Sequence, residues 1–124
     1  MMVFENAKFL KLKPVDVDTY AKYITPMFAE GEYVIQCFRG IRDGVVFTNK
    51  RLIAINIQGV TGMKKDFTSL PYKRIQTFSV ETAGVFDIDS ELDLWLSGMG
   101  RVRFEFVARA NVSEICRVIS ENYL

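Results

Sequence analysis

Arg42-Asp43-Gly44-Val45-Val46-Phe47-Thr48-Asn49-Lys50-Arg51-Leu52-Ile53-Ala54-Ile55-Asn56-Ile57-Gln58 reads as two hairpin turns in quick succession. Asp43-Gly44 suits the positive φ angles of a two-residue type I′ turn. Val45 to Thr48 is too short for a helix and is rich in β-branched and aromatic residues. Asn49-Lys50 makes the second turn, because Asn tolerates the left-handed region. Arg51 to Gln58 then places Ile53, Ile55 and Ile57 on one face and Leu52, Ala54, Asn56 and Gln58 on the other. A three-stranded antiparallel meander is the expected nucleus.

Working upstream, Tyr33 to Arg42 is the first long strand. It carries Tyr33, Ile35, Cys37 and Ile41 on one face, and Val34 and Phe38 on the other. A strand apolar on both faces predicts cover on both, supplied by the N-terminal helix or a neighbouring subunit. Val15 to Phe28 predicts that helix, with Val17, Tyr20, Ala21 and Ile24 at i, i+3, i+4 and i+7, an acid near its start and Pro26 ending it. Residues 1–14 read as a lead-in holding Lys8, Lys11 and Lys13 among Phe9, Leu10 and Leu12.

Downstream, residues 59–65 predict a loop, and Asp66–Tyr72 a strand whose Pro71 confines its end to an edge or bulge. Ile75–Glu81 is the next strand and Ala83–Ser90 a connection. Glu91–Ser97 alternates Leu92, Leu94 and Leu96 against Asp93, Trp95 and Ser97. Beyond the Gly98-Met99-Gly100 turn, Arg101–Ala108 puts Val102, Phe104, Phe106 and Ala108 inward. The period then changes. Asn111 is a good N-cap with Glu114 three residues on, and Val112, Ile115, Cys116, Ile119 and Tyr123 follow a helical stripe with Val118 beside it. Seven strands ending in an amphipathic helix predict a mainly β fold: a small, antiparallel, partly open barrel plugged by that helix. The 124 residues read as one domain, with an N-terminal segment (1–31), a barrel (32–108) and a C-terminal helix (111–124).

Four stretches carry a resemblance: Phe-Thr-Asn-Lys-Arg-Leu-Ile at 47–53, Gln-Gly at 58–59, Ser-Leu-Pro-Tyr-Lys-Arg-Ile at 69–75 and Phe-Ser-Val-Glu-Thr-Ala-Gly at 78–84. They resemble the bacterial pleckstrin-homology domain family over nearly the whole chain, from about Phe9 onward. The resemblance implies the pleckstrin-homology barrel of seven strands and a capping helix. It also implies a tendency towards ring-like homo-oligomers, and it names no chemistry.

Several function classes are excluded or disfavoured. With no histidine, Ser-His-Asp and Cys-His nucleophilic sets and most zinc sites are out of reach. Cys37 and Cys116 are two cysteines outside any Cys-x-x-Cys spacing, and read as reduced, buried thiols. Asp87, Asp89 and Glu91 alternate without the spacing and turn glycine of an EF-hand, so a solvated acidic loop is the expectation. Asn111-Val112-Ser113 is a helix cap rather than a glycosylation site. No apolar run reaches the ~20 residues of a spanning helix, and Met-Met-Val-Phe-Glu-Asn lacks the pattern of a secretory signal, which predicts a cytoplasmic protein. The expectation is a non-enzymatic module with no catalytic residue, cofactor or metal.

Charge is uneven. Residues 39–74 hold eight bases against two acids, and residues 75–100 hold five acids and no base. Three readings stay open. Lys50, Arg51, Lys64, Lys65, Lys73 and Arg74 form a basic patch for anionic lipid or a phosphate ligand; the patch touches nucleic acid, although no recognition motif accompanies it; or the two halves complement one another, within or between subunits. The lipid reading is weakened by the Asp43-Gly44 connection, too short to form a phosphate-binding cup. Trp95, forced to the outer face by alternation, is read as an interface residue, as covered by the N-terminal segment, or as bare surface. The leading expectation is a self-assembling interaction module, and lipid or phosphate binding is the alternative.

Overall fold

The computed structural model describes residues 6–58, 64–82, 89–107 and 110–123. The glycine-containing part of the predicted 59–65 loop, most of the 83–90 connection with Asp87, and Ala108 lie outside the described residues. The elements run β1 (Lys8–Val15), α1 (Ala21–Ile24), a 3-10 turn (Thr25–Met27), β2 (Val34–Arg39), β3 (Asp43–Thr48), β4 (Arg51–Gln58) and β5 (Lys64–Pro71). A second 3-10 turn (Tyr72–Arg74), β6 (Ile75–Thr82), β7 (Ser90–Leu96), β8 (Gly100–Phe106) and α2 (Val112–Tyr123) follow. The strands join in one curled, half-open barrel sheet of order β5-β4-β3-β2-β1-β8-β7-β6. The mainly β, partly open barrel with its C-terminal helix is therefore the architecture.

The predicted seven antiparallel strands become eight, and the extra one is the lead-in. β1 pairs antiparallel with β2 and parallel with β8, so it stitches the two halves of the sheet together. Its alternation was disguised by an irregularity. Lys11 sits at φ 54°, and the register against β8 shifts between Phe9 and Leu12, so the two inward residues are three apart instead of two.

The predicted Val15–Phe28 helix shrinks to the single turn of α1 and the Pro26-containing 3-10 turn. Asp16 is one reason. Its side chain accepts a hydrogen bond from the Asp18 N–H (2.9 Å), and its carbonyl accepts from the Thr19 hydroxyl (2.6 Å), so a local turn competes with the helix.

The first hairpin also turns earlier than predicted. Asp43 and Gly44 lie inside β3, opposite Asn56 and Ile55, and the reversal is made by residues 40–42. Gly44 is needed for a close approach rather than for its φ. A Cβ there would meet the Tyr20 hydroxyl at 2.5 Å. The Asn49-Lys50 turn stands where predicted, but by another device: the Thr48 hydroxyl accepts from both Lys50 N–H and Arg51 N–H, each at 3.0 Å.

Inside the sheet lies a core of stacked and edge-on phenylalanines. Phe9 stacks on Phe104 at 5.0 Å, Phe38 lies 4.7 Å from Phe106, and Phe47 touches Phe38, Phe104 and Phe106. Leu92, Leu94 and Leu96 share it with Val102, as the alternation of β7 and β8 predicts. Val112, Ile115, Val118 and Ile119 of α2 close the barrel mouth. The Asn111 cap is formed through its side-chain oxygen (3.3 Å from Glu114 N), whereas Glu114 departs from the capping box and accepts from the Gln36 side chain at 2.7 Å.

A second, smaller cluster covers the opposite face of β2–β4: Tyr20, Ile24, Cys37, Val46, Ile53 and Ile55. The N-terminal segment thus supplies the second cover that the doubly apolar strands require.

Candidate binding surfaces

The six predicted cations do not form one patch. Lys64 and Lys65 start β5, while Lys73 and Arg74 lie past its other end, next to the Lys50-Arg51 turn, because Arg51 pairs with Pro71 and Gln58 with Lys64. A strand of that length spans roughly 25 Å. Lys65 is placed over the Tyr23 ring, 4.9 Å from its centroid. Arg74 borders a shallow groove of about 260 Å³ with Ser69, Leu70, Pro71, Leu96, Ser97 and Met99.

Arg51 has a structural task. Its Nε donates to Glu32 Oε2 at 2.8 Å and one terminal nitrogen to Oε1 at 2.9 Å, a bidentate pair in which the Glu32 side chain is fully buried. The same guanidinium donates to the Met27 carbonyl and the Ser69 hydroxyl, while Glu32 also accepts from the Thr48 hydroxyl (2.7 Å) and Ala29 N–H (2.9 Å). Burial pushes the Glu32 carboxyl up, but the hydrogen bonds from Arg51, Ala29 and Thr48 outweigh it and hold it below its ordinary value. This clamp bolts the N-terminal segment to the β3–β4 hairpin. Nothing local in the sequence marks Glu32 as the partner of a residue nineteen positions away.

Trp95 stands on the outer face of β7, across from Thr77 of β6 and Arg101 of β8. It is partly buried and belongs to neither apolar cluster. α1, one part of the N-terminal segment, packs against β2–β4. Along the same face Arg103 pairs bidentately with Asp93 (2.8 and 3.0 Å) and reaches Glu91 at 3.2 Å.

Sequence reasoning missed a different basic cluster. Lys11, Lys13 and Arg39 line a groove of about 420 Å³ with Pro14, Val15, Gly40 and Ile41. None of the three cations has an ion-pair partner among the described residues. Ile41, at the tip of the β2–β3 hairpin, is 84% exposed. The signal was the pair Lys11 and Lys13, which gains meaning only once β1 pairs beside Arg39. A smaller groove of about 120 Å³ on the neighbouring strands is acidic, lined by Asp89, Glu91 and Glu105 with Ser90, Phe106 and Val107.

Burial raises both thiols, Cys37 to about 12, so neither is poised as a thiolate nucleophile. Among the described residues no group of histidine, cysteine and carboxylate side chains is arranged to hold a metal ion, and no helix is long and apolar enough to cross a membrane.

A curled sheet closed by a C-terminal helix is a barrel type shared by known proteins, and residues 3–123 match the family model described as "Bacterial PH domain". The chain belongs to the bacterial PH domain family. Among relatives of this PH domain chain is the "Uncharacterized protein YjqA" of Bacillus subtilis (strain 168), 48% identical over 93 residues, which cover 73% of this chain and 74% of that protein. Two crystal structures are similar. A DUF1696 family protein with a pleckstrin-homology domain from Shewanella loihica PV-4 is 43% identical with a TM-score of 0.76, over 92% of this chain and 98% of that one. A pleckstrin homology domain from Shewanella amazonensis SB2B is 42% identical with a TM-score of 0.61, over 89% and 90%.

Proposed function

We propose that this PH domain chain is a non-enzymatic interaction module that self-associates, with Trp95 in the contact. The observation that carries the reading is the unequal treatment of the outer surface. Over β2–β4 it is apolar and covered by the chain's own Tyr20 and Ile24. Over β6–β8 it is polar, apart from an indole that joins no core. Trp is enriched at interface hot spots because a large, stiff ring buries much area at little entropic cost. Assembly as a ring-like homo-oligomer is the form the family resemblance suggests. Free Cys37 and Cys116, in no disulfide, support cytoplasmic residence.

Sedimentation velocity of the wild type and Trp95→Ala tests it. The wild type is expected to run as an oligomer at micromolar concentration and the variant as smaller species with an unchanged far-UV spectrum. A monomeric wild type sinks the reading. The alternative, anionic lipid or phosphate binding through Lys50, Arg51, Lys64, Lys65, Lys73 and Arg74, loses support from the separation of those residues and the engagement of Arg51 with Glu32. Salt-sensitive flotation with anionic vesicles, lost in Lys73→Ala/Arg74→Ala, would restore it.

A further inference from the structure

We infer that the basic groove between β1 and the β2–β3 turn docks an extended acidic segment of a different protein. This goes beyond self-association and does not depend on it. The cations form a row. Lys11 and Lys13 stand two residues apart on β1, about 6.7 Å along a strand. Arg39 lies directly across from Lys13 on β2. The irregularity in β1 creates that row. Phe9 and Leu12 are both fully buried, three residues apart, so Leu10 and Lys11 both turn outward and Lys11 joins Lys13 at the groove.

The chain leaves this charge unanswered. Lys11, Lys13 and Arg39 make no ion pair among the described residues. Arg39 has the Tyr20 hydroxyl nearby, but burial keeps that hydroxyl protonated and uncharged. Like charges directly opposite one another weaken strand pairing, so Lys13 facing Arg39 costs stability in the free protein. A carboxylate seated between the two turns that repulsion into two attractions. Spacing and shape name the occupant. Side chains on one face of an extended peptide recur at the same interval of about 6.7 Å, so alternate carboxylates meet Lys11 and Lys13 in turn. The groove, about 420 Å³, has room for several side chains. Its walls include Pro14, Val15 and the 84% exposed Ile41. An apolar residue at one end of the acidic run covers Ile41.

Fluorescence anisotropy with a labelled synthetic peptide tests this. The peptide carries three glutamates alternating with serines and ends in leucine. At low salt it is expected to bind the wild type, and its glutamine counterpart to bind about tenfold more weakly or worse. An isomer with the three glutamates contiguous should bind several-fold more weakly, because its carboxylates no longer share one face. Added salt should weaken the contact. Lys13→Gln and Arg39→Gln should each weaken binding about tenfold, while their melting temperatures stay level or rise as the facing like charges are relieved. Lys73→Ala, outside the groove, should bind as the wild type does, and so should Trp95→Ala whatever its state of association. Absence of binding, equal binding of the acidic and glutamine peptides, or indifference to both groove variants overturns the proposal. Equal binding of the two isomers overturns the extended occupant. Flotation with phosphatidylglycerol vesicles that requires Lys13 and Arg39, with no peptide binding, assigns the groove to a membrane instead and equally overturns it.

Discussion

The two outer surfaces of the barrel solve the same problem in opposite ways. Over β2–β4 the strands are apolar on both sides, and the chain spends residues 16–32 on covering the second side with Tyr20 and Ile24. That cover is short on regular structure, one helical turn and a 3-10 turn, so packing alone holds it poorly. The Glu32–Arg51 clamp holds it in place. Over β6–β8 the strands alternate cleanly, the outer face is polar, and Arg103 with Asp93 and Glu91 ties neighbouring strands without any cover. A buried polar clamp is therefore needed only where the sheet has two apolar faces. The ion pairs on the other side are partly solvated and contribute little stability.

Breaking the clamp is the sharpest way to test that contrast. Arg51→Ala leaves the fully buried Glu32 carboxylate without its countercharge, an expected cost of about 3–5 kcal/mol in urea denaturation. Proteolysis within residues 16–32 should quicken in this variant before the barrel unfolds. Arg103→Ala, the corresponding change on the uncovered side, is expected to shift the urea midpoint far less. Equal losses would erase the distinction between the faces.

Next in size is Leu94→Ala, which removes a completely buried side chain of the main core and should cost about 2–5 kcal/mol. Its neighbour Trp95→Ala should stay within about 1 kcal/mol of wild type in monomer stability while weakening association. If both unfold the chain alike, the facing of β7 assigned by alternation is wrong.

The clamp also predicts an acid effect. Because the folded carboxyl of Glu32 titrates below its ordinary value of 4.5, the stabilisation is present above that value and is lost as pH falls through the lower folded value. The urea midpoint of the wild type should fall over this acid range. In Arg51→Met, in which burial no longer has an opposing charge, that part of the decline should vanish or reverse. An unchanged pH profile would mean that Glu32 is not held as its contacts imply.

What the sequence determined is the elements whose period runs unbroken along the chain. Alternation placed Leu92, Leu94, Leu96, Val102, Phe104 and Phe106 inside and Trp95 outside, and the shift to a helical period together with the Asn111 cap located α2, because strand and helix periods are properties of a few consecutive residues. Tertiary structure decided whatever joins distant segments. Residues 8–15 became a strand only by pairing with β2 and β8, and a bulge at Lys11 hid their period. Arg51 left the predicted basic patch because Glu32, buried by the same folding event, required its charge. Lys11, Lys13 and Arg39 came together because β1 lies against β2. Local periodicity carries no information about which strand will lie beside which, and the partners of a long charged side chain follow from that choice.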